Sequence, residues 1–231
     1  LLGLALSWAL QTPIESFTGW LLNAFKGYYG VGDRVEVGEV YGDVHRIDVL
    51  TTTVWEIGSP FRPSFVHAEQ PTGRLITFPN NQILTGSVMN YTRDFPYVWD
   101  ELDVPIANES NVRYACDVLG RTAAALLGDE TEAPAREYER ILREARIEGG
   151  VAKVPEVFVS LEDSWTNVTI RYLVEARERR RWKSELILRI IDELGRPEHR
   201  GRIIAVAPRR QVQLIGRDGL PRDASWFAGG T

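Results

Sequence analysis

The run LSWALQTPIESFTGWLL, residues 6–22, begins apolar, is interrupted at Gln11-Thr12-Pro13 and resumes as an amphipathic pattern; no other feature restricts the folding of this chain as much. Thr12, then Pro13, then Glu15 reads as an N-cap, a proline at the first helical position and a capping-box acid, so the sequence predicts a new helix starting here. Pro13 has no N–H and pushes Thr12 away from the α region, so a helix arriving from residues 1–11 is expected to kink or break over Gln11, Thr12 and Pro13.

Beyond the interruption, Ile14, Phe17, Leu21, Phe25 and Tyr28 share one helical stripe, with Trp20 and Leu22 beside it and Glu15, Ser16, Asn23 and Lys26 elsewhere on the wheel. Two readings stand open. The stripe covers a soluble core, or the helix lies at a membrane interface with Trp20, Tyr28 and Tyr29 as amphipathic anchors. Residues 1–11 carry no charge and set the small residues Gly3, Ala5, Ser7 and Ala9 between large ones, as tightly packed helices do. Eleven residues are fewer than the ~20 that span a bilayer. The chain is therefore expected to begin partway through a hydrophobic helix, because no basic region or small-x-small site marks a signal peptide.

Composition removes several functions. The formal charge is −5 over 231 residues, without the basic excess that phosphate binding favours. A single cysteine, Cys116, excludes an internal disulfide and reads as a small apolar residue within a helix. His45, His67 and His199 stand far apart, and no metal, nucleophile–base, P-loop or dinucleotide pattern occurs, so no enzyme activity, cofactor or metal is expected. The basic run RERRRWK, residues 177–183, reads as a solvated helix start paired with Glu178 and Glu185 rather than a nucleic-acid patch.

From Gly30 to Gly58 apolar and polar residues alternate, with Val35, Val37, Val40, Val44, Ile47, Val49 and Val54 marking three or four short antiparallel strands. Gly38 and Gly42 mark turns or bulges, and the whole reads as a small barrel of the SH3 or Sm type. Residues 59–73 read as an elaborated loop, and residues 74–92 as a strand, a Pro-Asn-Asn turn and another strand. From Leu102 the order is strand, helix (about 110–127), helix (about 134–148), two strands, helix (about 181–195) and strands at IIAVAP and QVQLIG, an α+β, ferredoxin-like sandwich. Residues 219–231 read as a loose tail.

LALSWALQ, the interruption, GVGDRVEVGEVYGDVHRIDVLTTTV and RLITFPNNQILTGSVMNYTR together resemble the MscS family of small-conductance mechanosensitive channels, at motif level over residues 1–99 and by element order beyond. The most specific matches are Gly30 to Val35, the strand ending Thr51-Thr52-Thr53, and Pro79-Asn80 before a hairpin ending Asn90-Tyr91. The loop at 59–73 departs from the simplest members. The resemblance implies a multi-pass inner-membrane protein assembled as a homo-heptameric ring, opened by membrane tension and passing ions and small osmolytes under osmotic stress. It implies a pore helix and kinked interfacial helix at 1–29, a β domain at 30–99 and an α/β domain at 100–218, with residues 30–231 cytoplasmic. It places the apolar pore rings at Leu4 and Trp8, the second a departure from the usual residue. Pore-helix packing falls on Gly3, Ala5 and Ser7, the kink on Gln11, Thr12 and Pro13, and lipid contact on Phe17, Trp20, Leu21, Phe25 and Tyr28. The partners implied are further copies of itself, membrane lipids and permeating ions, with no nucleic acid. The rival class is a soluble or membrane-anchored Sm-like ring module that binds RNA or protein without conducting.

Overall fold

The computed structural model describes residues 2–58, 66, 69–204, 206, 214–215 and 221–222, with only the backbone for Leu2, Leu4, Ala5, Leu6 and the last two pairs. The first element, α1 (Leu2–Lys26), is a single α-helix with Pro13 inside it. The expected break at Gln11-Thr12-Pro13 does not form. A proline in mid-helix withholds one N–H from the carbonyl four residues earlier, here that of Ala9, and residues 7–14 are exposed, so that oxygen is not shut away from other donors. Thr12 is helical rather than an N-cap, and Glu15 accepts a hydrogen bond from Gln11 Nε2 one turn earlier, 2.8 Å away. The helix ends at Gly27, whose φ of +61° is the left-handed geometry that closes a helix and whose N–H donates to the Asn23 carbonyl at 2.6 Å.

Five strands follow: β1 (Arg34–Val37), β2 (Val40–Ile47), β3 (Thr51–Ile57), β4 (Pro71–Pro79) and β5 (Val88–Asn90), with the short helix α2 (Gln82–Thr85) before β5. They form one antiparallel sheet in the order β4-β3-β2-β1-β5, a meander whose fifth strand returns to the first. No β4–β5 pairing closes it into a hydrogen-bonded barrel among the described residues. Gly38, φ +58°, makes the two-residue turn between Val37 and Val40. Gly42 is not at a turn but in the middle of β2, where a Cβ would collide with the Trp55 carbonyl of β3. Alternation delivers Val35, Val37, Val44, Val54 and Phe78 to a core that Tyr29 and Ile83 complete. Strand β4 starts at Pro71, earlier than the expected 74; most of the expected loop at 59–73, residues 59–65, 67 and 68, lies outside the described residues.

The second unit runs β6 (Tyr97–Ile106), α3 (Val112–Glu144), β7 (Glu156–Leu161), β8 (Thr166–Glu175), α4 (Arg179–Leu194) and a 3₁₀ turn (Pro197–His199). Its sheet order is β6-β8-β7 with antiparallel neighbours, so β6 and β7 run parallel with β8 between them, the split β-α-β arrangement of a ferredoxin-like sandwich. Two helices were expected where α3 is one, begun by Asn111, whose side chain accepts from the Tyr114 N–H. Pro134 does not divide it: the stretch around it is rich in helix-forming Glu and Ala, and Thr131, Pro134 and Ala135 are buried there. The expected strand IIAVAP is absent at residues 203, 204 and 206, its other residues lying outside the description. Of QVQLIG only Leu214–Ile215 is described; it forms β9, paired with β10 (Pro221–Arg222) rather than with the sheet.

Val168, Ile170, Tyr172 and Val174 of β8 face α3 and α4, while Leu173 points to the other side and packs with Trp99, Ala135, Tyr138 and Leu142. Helix α3 therefore serves both faces of the sheet. Strand β7 pairs with β8 only as far as Arg171, and where that pairing stops Thr131 Oγ1 of α3 donates to the Leu173 carbonyl at 3.5 Å.

Charged groups join the two units. Arg34 of β1, 3% exposed, holds Asp43 with two hydrogen bonds of 3.0 and 3.1 Å and donates to the Ala176 carbonyl at 3.3 Å. Arg179 pairs with Glu69, just before β4, and stands 3.8 Å from Asp100 of β6; both carboxylates are at least nine-tenths buried. Asp100 also accepts from Tyr172 Oη at 2.8 Å and Lys183 Nζ at 3.3 Å. Burial pushes the Glu69 carboxyl above its usual range, an effect that Arg179 opposes and Asp100 reinforces. A raised folded-state pKa means that the folded chain holds the Glu69 proton more tightly than the unfolded chain. Its stabilising contribution is complete below the ordinary carboxylate pKa and lost as pH rises through the raised value. Glu69→Gln, which keeps the shape without the charge, is expected to flatten the fall in Tm as pH rises above the ordinary carboxylate pKa. Scanning calorimetry across that range checks it, and an unchanged slope contradicts the assignment.

Candidate functional site: an outward apolar helix face and its polar anchor

The second half of α1 docks by its polar and small residues. Ser16, Gly19 and Asn23, spaced three and four apart, are buried, with Ser16 2% exposed and Asn23 6%. Ile14, Phe17, Leu21 and Phe25 occupy the opposite side and are exposed, Phe25 to 80%, and Tyr28 is exposed just past the helix end. A helix that covers a soluble core turns the other way, so the core-covering reading of the stripe is overturned. Trp20 is half-buried beside it, its ring centroid 5.8 Å from that of Phe17. A continuous apolar face of this size marks a surface that something else covers.

Among the described residues, the first half of α1 has no docked side chain. Gly3 and every residue from Ser7 to Ile14 are exposed, Trp8 to 83%, and a Cβ added at Gly3 would meet nothing within 4 Å. Leu4 stands one helical turn before Trp8; its side chain and that of Ala5 lie outside the description. Gln11, Thr12 and Pro13 are likewise exposed. Among the described residues, no helix is long and apolar enough to cross a membrane.

A buried chain of polar groups fixes the docked half. Asn23 grips the backbone of Tyr29 through both its amide groups, Nδ2 donating to the carbonyl at 3.0 Å and Oδ1 accepting from the N–H at 3.1 Å. Thr52 Oγ1 donates its proton to Asn80 Oδ1 at 2.7 Å, so the Tyr29 hydroxyl, 3.1 Å from Thr52 Oγ1, must be the donor to Thr52. Asn80 Nδ2 continues to the Asp48 carbonyl at 2.8 Å. Burial pushes the Tyr29 phenol upward, which keeps it a neutral donor. Gly19 lies so close to Asn80 that any Cβ would collide with its carbonyl, and Asn81 Nδ2 reaches Glu15 Oε2 at 3.4 Å. At the helix exit, Asp33 Oδ2 accepts from the Gly30 N–H and from Asn90 Nδ2, both at 2.8 Å, and Asn90 also donates to the Tyr28 carbonyl at 3.0 Å.

Sequence reasoning marked Thr51-Thr52-Thr53, Pro79-Asn80 and Asn90-Tyr91 as motifs without giving them a task; the structure shows them tying α1 to the sheet. The signal available was polar residues of high hydrogen-bonding capacity at the ends of apolar strands. RERRRWK also needs correction: Arg177 reaches Gly32 and Asp43, while Arg179 and Lys183 reach Asp100, so these basic residues hold the junction rather than a solvated helix start.

Glu193, Glu198 and His199 gather their ligand atoms within 4.8 Å, the one grouping of metal-ligand types among the described residues. A neutral His199 is satisfied without an ion, Nδ1 accepting from Tyr114 Oη at 3.0 Å and Nε2–H donating to Glu193 at 3.1 Å, while Arg196 pairs with the other Glu193 oxygen at 3.1 Å. Burial, aided by Asp117, raises the thiol pKa of Cys116, which packs against the core as a neutral group.

Thr52→Val is expected to leave the Tyr29 hydroxyl and Asn80 Oδ1 without their shared partner and to lower stability by about 1–3 kcal/mol. Chemical unfolding measures it; no loss of stability means the chain of hydrogen bonds does not carry the anchor.

Residues 12–58, which hold the outward stripe and the first three strands, match the family model described as the mechanosensitive ion channel β-domain. An MscS family protein of Synechocystis sp. is 31% identical over 88 residues, 38% of this chain and 25% of that protein. The small-conductance mechanosensitive channel of Edwardsiella ictaluri is 25% identical over 123 residues, 53% of this chain and 38% of the channel. The chain thus spans well under half the length of these relatives. Among solved structures, Helicobacter pylori MscS in its closed state superposes with a TM-score of 0.63 at 16% identity, covering 94% of this chain and 71% of that one. Arabidopsis thaliana MSL1 gives 0.61 at 14% identity, covering 89% and 62%; at these identities both likenesses are of fold alone. The matched β-domain, the relatives of the same kind and the shared fold together support the MscS family for this chain.

Proposed function

We propose that this chain is the pore-lining end, interfacial helix and cytoplasmic body of a tension-gated channel that passes ions and small osmolytes across the inner membrane under osmotic stress. The observation that carries the reading is the turned-out apolar stripe of α1, Ile14, Phe17, Leu21 and Phe25, with Ser16, Gly19 and Asn23 turned in. Lipid is the cover that suits such a face, with Trp20 and Tyr28 at the polar boundary. Gly3 and residues 7–14 of α1, all exposed, call for a different cover: copies of the same helix around a pore, packed through Gly3, Ala5 and Ser7 in a homo-heptameric ring.

In that ring Leu4, and Trp8 one turn further along, form an apolar constriction that sheds its water column and stops ions without a plug. Tension favours the conformer with the larger in-plane area, because only a difference between two states shifts their equilibrium. Pro13, with Gln11 and Thr12, is where α1 bends between the lipid-facing and pore-lining halves, since the missing hydrogen bond to Ala9 makes it the weakest point of the helix backbone. Residues 30–99 and 100–218 are the β and α/β domains of a cytoplasmic vestibule.

Patch-clamp recording of the protein in liposomes under stepped suction is expected to show stepwise currents absent from lipid-only patches. Silence from protein shown to be inserted and assembled refutes the channel reading in favour of a non-conducting ring module. Leu4→Ser is expected to hydrate the constriction and lower the opening tension, and an unchanged threshold in an assembled variant removes Leu4 from the gate. Pro13→Ala, by restoring the missing donor, is expected to alter closing or inactivation; identical kinetics refute the bend.

A further inference from the structure

Three arginines make contacts between the sheet unit and the α/β unit at one place. Arg34 of β1 reaches out to the Ala176 carbonyl, 3.3 Å away, while its fork stays on Asp43. Arg177 reaches back to the Gly32 carbonyl and stands 3.8 Å from the same Asp43. Arg179 pairs with Glu69 of the first unit and lies 3.8 Å from Asp100 of the second. Two buried carboxylates, one from each unit, thereby share Arg179, and Asp100 has Lys183 Nζ at 3.3 Å besides. Without Arg179, Glu69 loses its paired cation in a dry place, and removing one partner of a buried charged group is strongly destabilising.

The position of Gly32 gives this junction its meaning. Its N–H donates to the Val44 carbonyl at 2.8 Å, its φ is +94°, and it lies between Gly30 and Asp33, whose hydrogen bond of 2.8 Å holds the chain just after α1. Arg177 therefore grips the turn from which the apolar helix departs.

We infer that Arg34, Arg177 and Arg179 form a reciprocal latch that couples the position of the α/β unit to the turn at Gly30–Asp33 and so to α1. The latch belongs to the segment Ala176–Lys183, which reads the first unit with Arg177 and Arg179 while its Arg181 stays with Glu178 of its own helix and over the Trp182 ring.

Hydrogen exchange on the intact protein tests this without any recording of current. The reporters are the Gly32 and Val44 amides, each hydrogen-bonded across that turn at 2.8 Å. Arg177→Met and Arg179→Met keep the aliphatic stems and remove the charge. Each is expected to speed exchange at both amides about tenfold, the equivalent of one charged hydrogen bond, while the core amides of β3 and β8 stay protected. Arg181→Met, in the same segment, is expected to change neither reporter. Rates at Gly32 and Val44 within about twofold of the unaltered protein in both variants overturn the latch. So does an equal acceleration throughout both units, which would mean that these arginines serve folding as a whole and not the turn.

Discussion

The architecture depends on α1 being held by buried hydrogen bonds, beside the packing of Leu22 on the sheet core. Asn23, Tyr29, Thr52 and Asn80 form a continuous buried chain from the helix to the far end of β3 and β4, and Gly19 allows the backbones to meet. Each such bond contributes about 0.5–1.5 kcal/mol net, whereas each large apolar side chain left in water forgoes about 1.5–3 kcal/mol. Turning Ile14, Phe17, Leu21 and Phe25 outward is thus unfavourable for one chain in water and favourable once that face is covered. The anchor selects the face, and the surroundings supply the driving force.

A second attachment of different chemistry lies below the first. The junction of the two units is made of buried charge, with Arg34, Glu69 and Asp100 each at least nine-tenths hidden. Buried ion pairs return little net stability, because desolvation consumes most of the attraction, but they tolerate only one geometry. The upper joint specifies which way a helix faces, and the lower one specifies where a domain sits. They meet at the turn from Gly30 to Asp33, which Asn90 braces from one side and Arg177 from the other.

What was legible in the sequence followed period and turn chemistry. The alternating valines gave β1 to β3 and the inward set Val35, Val37, Val44 and Val54, and Gly38 gave its turn. The stripe Ile14, Phe17, Leu21 and Phe25 was visible, but its direction was not: periodicity tells that two faces differ and not which one is docked. Both divisions of helices, at Pro13 and between about 127 and about 134, failed where a helix runs on through a proline. A proline removes a single backbone donor, and a helix exposed to water at Ala9, or packed through Thr131 and Ala135, absorbs that loss. The roles of Glu69 and Arg179 were illegible because they rest on a contact between residues 110 positions apart, and RERRRWK looks the same whether water or carboxylates surround it.

Continuity through Pro13 gives the anchor mechanical reach. Only the stretch from Glu15 onward is docked, and the part before it extends about 20 Å at 1.5 Å per residue. For a rod of that length, a tilt of about 3° at the docked half displaces the free end by about 1 Å. Small shifts of the Asn80 turn or of Gly30–Asp33 are thus enlarged where Leu4 and Trp8 stand. A full break at Pro13 would uncouple the two halves, whereas an unbroken helix missing one hydrogen bond transmits the tilt and keeps a single point of lower stiffness. In the channel proposed here, that combination links a lipid-facing helix to an apolar constriction without a contact between the β domain and the gate.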